Sequence, residues 1–330
     1  MTIRRGFLGC FTALVLAATG CANFELSLFV DKSKPLEEYT LQGSASEKIL
    51  VIPIDGMITD HGDFSILSEK PGMVENVVSQ LRLAAADDRI KAVLLKIDSP
   101  GGLTTASGIL YHEISEFKKK TGKTIVVSML DMATSGAYMI ALPADVITAH
   151  PTTVTGSVGV IFMRPDISGL LGKIGVSVDV TKSGRDKDMG SPFRRATPDE
   201  RKAMQSIIDK LNGQFLSVVK ERRNLSADAV RQVSTARVFL ADEALALGLI
   251  DKICYLDGAL AECRRLCKLP SDARVVAYRR IHYHNDNIYN SSTSRYDGGG
   301  TSAFDPGILK LMGSASGGFH SVWPVAVGAR

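Results

Sequence analysis

Ser135 stands in Thr134-Ser135-Gly136-Ala137-Tyr138, where an apolar run ends and a helical pattern begins. A hydroxyl at such a turn can attack an acyl carbon such as that of a peptide bond. Its small neighbours admit a substrate backbone, and the free N–H groups of a starting helix face a developing oxyanion. Alone, a serine before a glycine more commonly caps a helix. Three further pieces change the weighing. Gly101-Gly102 follow Asp98-Ser99-Pro100 at the end of an apolar run, and two glycines there permit positive φ and bring backbone N–H groups close to a reacting carbonyl. Ser157 lies in Thr155-Gly156-Ser157-Val158-Gly159, and Lys187 in Arg185-Asp186-Lys187-Asp188-Met189-Gly190-Ser191-Pro192.

An attacking serine needs a base. None of His61, His112, His150, His282, His284 and His320 sits in a catalytic motif, and His150, before Pro151, is the nearest candidate for a triad. A lysine serves instead where burial and the absence of counter-charges leave its amine neutral. Lys187 is the candidate, whereas Lys173 and Lys182 read as solvated. Asp186 and Asp188 flank Lys187 and would keep it protonated at close range, so their side chains must point away from it, as alternation along an extended segment allows. A lysine base implies a rate that rises with pH as the amine loses its proton. Ser157 reads either as a hydroxyl that orients the amine or as a turn former.

These residues must be placed by an alternating pattern that begins at Lys48. Ile49 to Ile54, Ala92 to Ile97 and Thr124 to Leu130 are apolar runs of strand length, separated by helical spacing over Pro71 to Ala86 and Ala106 to Lys120. Val146 to Ala149 and Val176 to Val180 read as short strands. The alternation predicts an α/β fold with a mainly parallel sheet flanked by helices. The second half is helical. Thr197-Pro198-Asp199-Glu200 is a capping box that opens a helix to about Arg223, Ser226 caps another, and Ala241 to Leu247 ends at Gly248. Cys254 to Lys268 closes the compact region. Residues 22–46 read as a tether, 47–280 as the folded domain, and 281–330 as a flexible polar extension rich in Asn, Ser and Gly. Within that extension Pro306 to Met312, Phe319 and Trp323 are apolar, and are expected to be disordered or to dock on a partner or a neighbouring subunit.

Arg4 and Arg5, the apolar stretch from Phe7 to Thr19 and the small residues before Cys21 have the layout of an export signal, and the apolar run is shorter than the ~20 residues of a spanning helix. Ala18-Thr19-Gly20-Cys21 resembles a bacterial lipoprotein signal, with residues 1–20 removed and Cys21 lipidated. Removal takes the formal charge from +4 to +2 with the loss of Arg4 and Arg5, and that balance gives no argument for nucleic acid. Lys118-Lys119-Lys120 and Glu221-Arg222-Arg223 are expected to end helices. Cys254, Cys263 and Cys267 are odd in number and read as packed core residues. A metal site is not expected: no His lies near these cysteines, and there is no His-Glu-x-x-His.

Taken together, the four pieces resemble those of the signal peptide peptidase A family of Ser–Lys peptidases (family S49) in its short single-domain form. The likeness runs from about Lys48 to Lys268. Its strongest parts are Lys96 to Gly102, Ala133 to Ala144, Thr155 to Val160, and Lys182-Ser183-Gly184 through Gly190-Ser191-Pro192-Phe193-Arg194. Ser135 is 33 residues beyond Gly102, Ser157 22 beyond Ser135, and Lys187 52 beyond Ser135. The resemblance implies a crotonase-like (Clp protease-like) α/β spiral. It implies Ser135 as nucleophile, Lys187 as general base, Ser157 orienting the lysine, and the N–H groups of Gly102 and Gly136 as the oxyanion hole, with no metal or organic cofactor. It also implies a homo-oligomer whose active sites combine residues of neighbouring subunits. The substrates are then signal peptides or other apolar, unfolded peptides in a bacterial envelope, met by a lipoprotein that faces the periplasm. Two other readings keep parts of this pattern. A crotonase-type acyl-CoA enzyme would use the paired N–H groups but leaves Lys187 without a role. A silent envelope scaffold would not need both Ser135 and Lys187.

Overall fold

Three apolar runs of strand length form the centre of the molecule, because a strand buried on both faces reads as a continuous rather than alternating pattern. The computed structural model describes residues 35–60, 64–65, 68–69, 72–290 and 320–322. The export signal of residues 1–20, Cys21 and most of the extension lie outside the described residues.

In chain order, β1 (Glu37–Gln42) and β2 (Lys48–Asp55) precede a small hairpin of β3 (Phe64–Ser65) and β4 (Ser68–Glu69). Then come α1 (Met73–Ala86), β5 (Ile90–Ser99), β6 (Gly101–Leu103), α2 (Thr104–Thr121), β7 (Thr124–Thr134), α3 (Gly136–Ala141), β8 (Val146–Ala149) and β9 (Val154–Gly156). The second half holds α4 (Ser168–Lys173), α5 (Pro198–Arg222), α6 (Ala227–Val233), β10 (Val238–Leu240), α7 (Ala241–Ala246), β11 (Lys252–Ile253), α8 (Leu256–Cys267) and β12 (Arg274–Arg279). β13 (His320–Val322) stands apart in sequence.

The main sheet runs β1-β12-β2-β5-β7-β8-β11, with β9 on the far end of β7 and β10 on β9. β12, β2, β5, β7, β8 and β11 are mutually parallel, while β1 closes the β12 edge antiparallel. Helices cover both faces. Val77 of α1, Leu110 and Ile114 of α2, Tyr138 of α3 and Phe215 of α5 share one core with Leu50, Val93, Leu95 and Ile97. Leu256, Leu260 and Cys263 of α8 pack on Val51, Leu94, Val126 and Val275 of the opposite face. The expected α/β class with a parallel sheet is therefore the class observed. The long strand β7 changes partner along its length: Val126 to Met129 pair with β8, and Met132 to Thr134 with β9. That switch delivers Ser135 to the end of the sheet.

Local expectations hold where capping chemistry is explicit. Thr197 Oγ1 accepts from the Glu200 N–H at 3.2 Å and Glu200 Oε2 accepts from the Thr197 N–H at 2.9 Å, closing the capping box of α5. Ser226 Oγ accepts from the Ala229 N–H at 3.1 Å, and Lys118, Lys119 and Lys120 fall in the last turn of α2.

Three expectations are corrected. The tether expected over 22–46 contains β1, which joins the sheet because β12 offers it an open edge. Val176 to Val180 form no strand: among the described residues no strand pairs with them, the Val176 N–H turns back to the Leu171 carbonyl at 2.9 Å, and Val176, Val178 and Val180 remain exposed. The extension expected to be flexible from residue 281 instead packs on the domain as far as Asn290. Its anchor is Arg279, fully buried, with its guanidinium 4.3 Å from the Tyr39 ring and 4.8 Å from the Tyr283 ring. The same group bonds Asp286 at 2.5 Å and donates to the Asn290 carbonyl at 2.9 Å. The buried Lys96 amine donates to the Tyr289 carbonyl at 3.1 Å.

Arg279→Met leaves Asp286 facing the sheet without its cation. The expected loss is about 3 kcal/mol, the scale for breaking a buried pair from one side. It should be read as a lower urea midpoint at unchanged slope, with the Ile281–Asn290 segment becoming the first site of proteolysis.

Candidate active site

Ser135 lies at the junction of β7 and α3 with φ 55° and ψ −117°, a conformation that a residue with a Cβ adopts only under strain of about 1–3 kcal/mol. The backbone is held there from β9. The Ser135 N–H donates to the Gly156 carbonyl at 2.7 Å, and the Ser135 hydroxyl donates to the Gly159 carbonyl at 3.2 Å. Gly136 opens α3, in the turn whose N–H groups lack intrahelical acceptors. Ser135 is 1 % exposed. The whole of α3 is buried, and Tyr138 fixes it by donating to the Leu249 carbonyl at 2.8 Å. Burial pushes the Tyr138 hydroxyl well above the ordinary tyrosine range, so it stays a neutral donor.

Gly102 sits beside this turn on β6, which approaches α3. Its place excludes any side chain, because a Cβ there would lie 2.0 Å from the Ile58 carbonyl oxygen. Ile58 makes the parallel bridge to β6, donating to the Gly101 carbonyl and accepting from the Leu103 N–H, each at 2.9 Å. Ser99, fully buried, accepts from the Gly101 N–H at 3.1 Å and sets the turn into β6.

Ser157 follows directly on the Gly156 carbonyl that holds Ser135. It has φ 50°, is 8 % exposed, and donates its N–H to the Arg237 carbonyl at 2.8 Å. Gly156 carries φ 87°, and a Cβ there would strike Phe239 at 2.5 Å. Ser135, Gly136, Ser157 and Gly102 thus converge at the carboxyl ends of β5, β7 and β9.

Lys187 is not brought to them within one chain. It is exposed, in a turn between α4 and α5, and no side-chain bond joins it to Ser135 or Ser157. The burial expected of a lysine base is therefore absent in the single chain: no residue of 161–196 is fully buried, and α4, the helix within that stretch, buries none of its side chains. One requirement on this lysine is met. Asp186 pairs with Arg185 at 3.1 Å, and Asp188 pairs with Lys182 at 2.6 Å and Arg194 at 2.8 Å, so both flanking carboxylates are engaged elsewhere.

Arg194 is a residue the sequence reading left without a role. Its guanidinium spans Asp188 and the buried Glu200 at the start of α5, tying the Lys187 turn to a helix. The Arg194 hydrogen bond and then the Thr197 N–H hold Glu200 down at about 2. Arg194 and then Lys182 hold Asp188 below the carboxylate range. The signal was present as Glu200 in the capping box and Arg194 six residues before it, but pairing across a loop has no sequence period. His150 packs its ring on Tyr255 and bonds Thr152, making no contact with Ser135. Cys254, Cys263 and Cys267 are free thiols, and burial raises the Cys263 thiol. Among the described residues no group of three or more His, Cys, Asp and Glu is placed to hold a metal.

Residues 117–270 match the profile of Peptidase family S49. A putative signal peptide peptidase SppA of Enterococcus faecium is 33 % identical over 252 residues, covering 76 % of this chain and 73 % of that protein. Protease 4 of Salmonella typhi is 32 % identical over 236 residues, covering 70 % of this chain but 37 % of its own length. Among solved structures, a mutant of the 1510-N membrane-bound stomatin-specific protease in complex with a substrate peptide aligns with TM-score 0.42 and 18 % identity, over 70 % of this chain and 92 % of that one. The chain belongs to peptidase family S49, a family of serine peptidases.

Gly102→Ala should lower the thermal midpoint, because the Ile58 backbone must give way to the methyl group, and should displace β6 and lower peptide turnover about 10²-fold, the scale for loss of one oxyanion donor. Arg194→Met should lower turnover by about ten- to a hundredfold through misplacement of the Lys187 turn. The same variant has a pH signature. A carboxyl whose folded pKa is depressed adds stability above its unfolded value and loses it as pH falls, here from 4.5 toward about 2. Wild type should therefore lose more thermal stability than Arg194→Met across that window, and parallel curves would show that the cluster contributes nothing.

Proposed function

We propose that this chain is a membrane-held endopeptidase whose active site is completed between copies, with Ser135 from one and Lys187 from its neighbour. The observation that carries this is the pairing of a strained, backbone-held serine with a lysine that its own chain leaves exposed. The excursion that bears Lys187 also exposes Leu170, Ile174, Val176, Val178, Val180 and Phe193, an apolar edge suited to burial against another copy.

In this reading the Lys187 amine, desolvated at the interface, takes the Ser135 proton as Oγ attacks the scissile carbonyl. The N–H groups of Gly102 and Gly136 receive the charge that develops on the carbonyl oxygen. Ser157 accepts or donates at the amine and keeps it aimed at Oγ. Collapse of the tetrahedral adduct expels the amine half of the peptide, which takes its proton from Lys187. Water activated by the same lysine then releases the acyl half and restores Ser135.

The substrates are extended, unfolded peptides of apolar character, signal peptides among them, a choice supported by the name carried by the Enterococcus faecium relative. Among the described residues no helix is long and apolar enough to cross a membrane. Lipid on Cys21 would hold the protein to the envelope, facing the periplasm, and Cys21→Ser should then release it from the membrane fraction.

Ser135→Ala and Lys187→Ala should each abolish hydrolysis of an unstructured apolar peptide while leaving the fold intact. Co-assembly of the two inactive variants in equal amounts is the sharper test. If every site draws its serine and its lysine from different copies, random mixing restores about a quarter of wild-type activity. Full activity in either single variant removes the dyad, and no recovery on mixing places both groups in one chain.

A further inference from the structure

β13 runs antiparallel to β6, with Val322 opposite Gly101, Ser321 opposite Gly102 and His320 opposite Leu103. Hydrogen-bond alternation shows what this strand covers. On one edge of β6 the Gly101 carbonyl and the Leu103 N–H are both bonded to Ile58. Successive peptide groups of a strand point to opposite edges, so the N–H and C=O of Gly102 face β13. That N–H is the one assigned above to the oxyanion. β13 also approaches α2, whose start continues directly from β6.

An edge of this kind takes an extended peptide through main-chain bonds, whatever the sequence. The segment seated on it is His320-Ser321-Val322, which the sequence flanks with Phe319 and Trp323; the stretch is β-prone and uncharged at neutral pH when the histidine is neutral. Its chemistry is that of the unfolded apolar peptides proposed as substrates. A three-residue pairing is weak by itself, since even a whole isolated hairpin is marginal in water. Residues 291–319 join it covalently to the domain, and tethering raises its effective concentration to the order of millimolar. Weak pairing held at high local concentration gives an occupant that is present at rest and can be displaced.

We infer that residues 320–322 are a resident occupant of the peptide-binding edge of β6, which an incoming peptide must displace before it can reach Ser135. The inference rests on the peptidase reading for what the edge is used for. The pairing itself does not depend on catalysis, and the test separates the two.

The experiment measures binding of a fluorescein-labelled, unstructured apolar peptide to the full chain in the Ser135→Ala background, so that no turnover intervenes. Ser321→Pro removes the N–H opposite Gly102, and Ser321→Ala keeps it. If β13 occupies the edge about nine-tenths of the time, its removal should tighten the apparent Kd about tenfold. Ser321→Ala should bind as the parent does. Amide exchange at Gly102 should quicken in Ser321→Pro without the peptide and slow again when it is added, while the amides of Gly101 and Leu103, bonded to Ser99 and Ile58, stay as they were. Equal Kd and equal exchange in Ser321→Pro and parent would overturn the inference, as would an equal gain from Ser321→Ala. Failure of the peptidase reading would show separately, as hydrolysis that survives Ser135→Ala in the otherwise unmodified chain.

Discussion

The hydrogen bond from the Ser135 N–H to the Gly156 carbonyl is the constraint on which the site depends. A serine with φ 55° does not hold that conformation unaided. It is kept by β9, which leaves the main sheet edge to pair with the last residues of β7, and by the buried α3 that continues from it. The strain is distributed into a strand on one side and a helix on the other. The hydroxyl is thus presented in one orientation, and its direction owes little to its own rotamer freedom. Gly156 and Ser157, also at positive φ, form the second half of the same turn, so the proposed nucleophile and the group proposed to aim the base share one support.

The proposed base is supported differently. Lys187 lies on an excursion whose order comes from charge rather than from a core: Arg194 bridges Asp188 and Glu200, and Glu200 is at once the third residue of a helical capping box and an anchor for the loop. This arrangement fixes the backbone of the turn while leaving the lysine itself uncovered. The segment ends in an exposed cation and carries an apolar edge. Covering it with a second copy would desolvate the amine and bury the edge in one step, which couples activity to assembly. With β13 paired to the Gly102 edge of β6, the proposed site would then be governed by two surfaces, one from a neighbour and one from the chain's own downstream segment.

Legibility in the sequence followed the range of the interactions. The strands β2, β5 and β7 and the helices α1, α2, α5 and α8 announce themselves by runs, periods and caps, all set within a dozen residues. Gly102 was legible as half of a glycine pair after an apolar run, of which Gly101 takes the positive φ and Gly102 the close approach of Ile58, and Ser135 because small residues surround a strand-to-helix turn. β1, β9, β10 and β12 were not legible, since each is short and exists only because a partner strand distant in sequence offers an edge. Val176 to Val180 show the converse: a strand-like pattern with no edge to join stays irregular. The packing of residues 281–290 was missed for a related reason. Their Asn-rich composition reads as solvated, and one buried arginine stacked between Tyr39 and Tyr283 overrides it.

The sequence by itself determined the chemistry: a hydroxyl, an amine, an orienting hydroxyl and two glycines at spacings that match a serine peptidase family, together with the layered α/β class that carries them. Tertiary structure decided which of these meet. It joined Ser135, Gly136, Ser157 and Gly102 through strand pairings between segments more than twenty residues apart, because backbone hydrogen bonds across a sheet carry no sequence code. It also left Lys187 exposed, on a loop tied through Arg194 to Glu200 of α5.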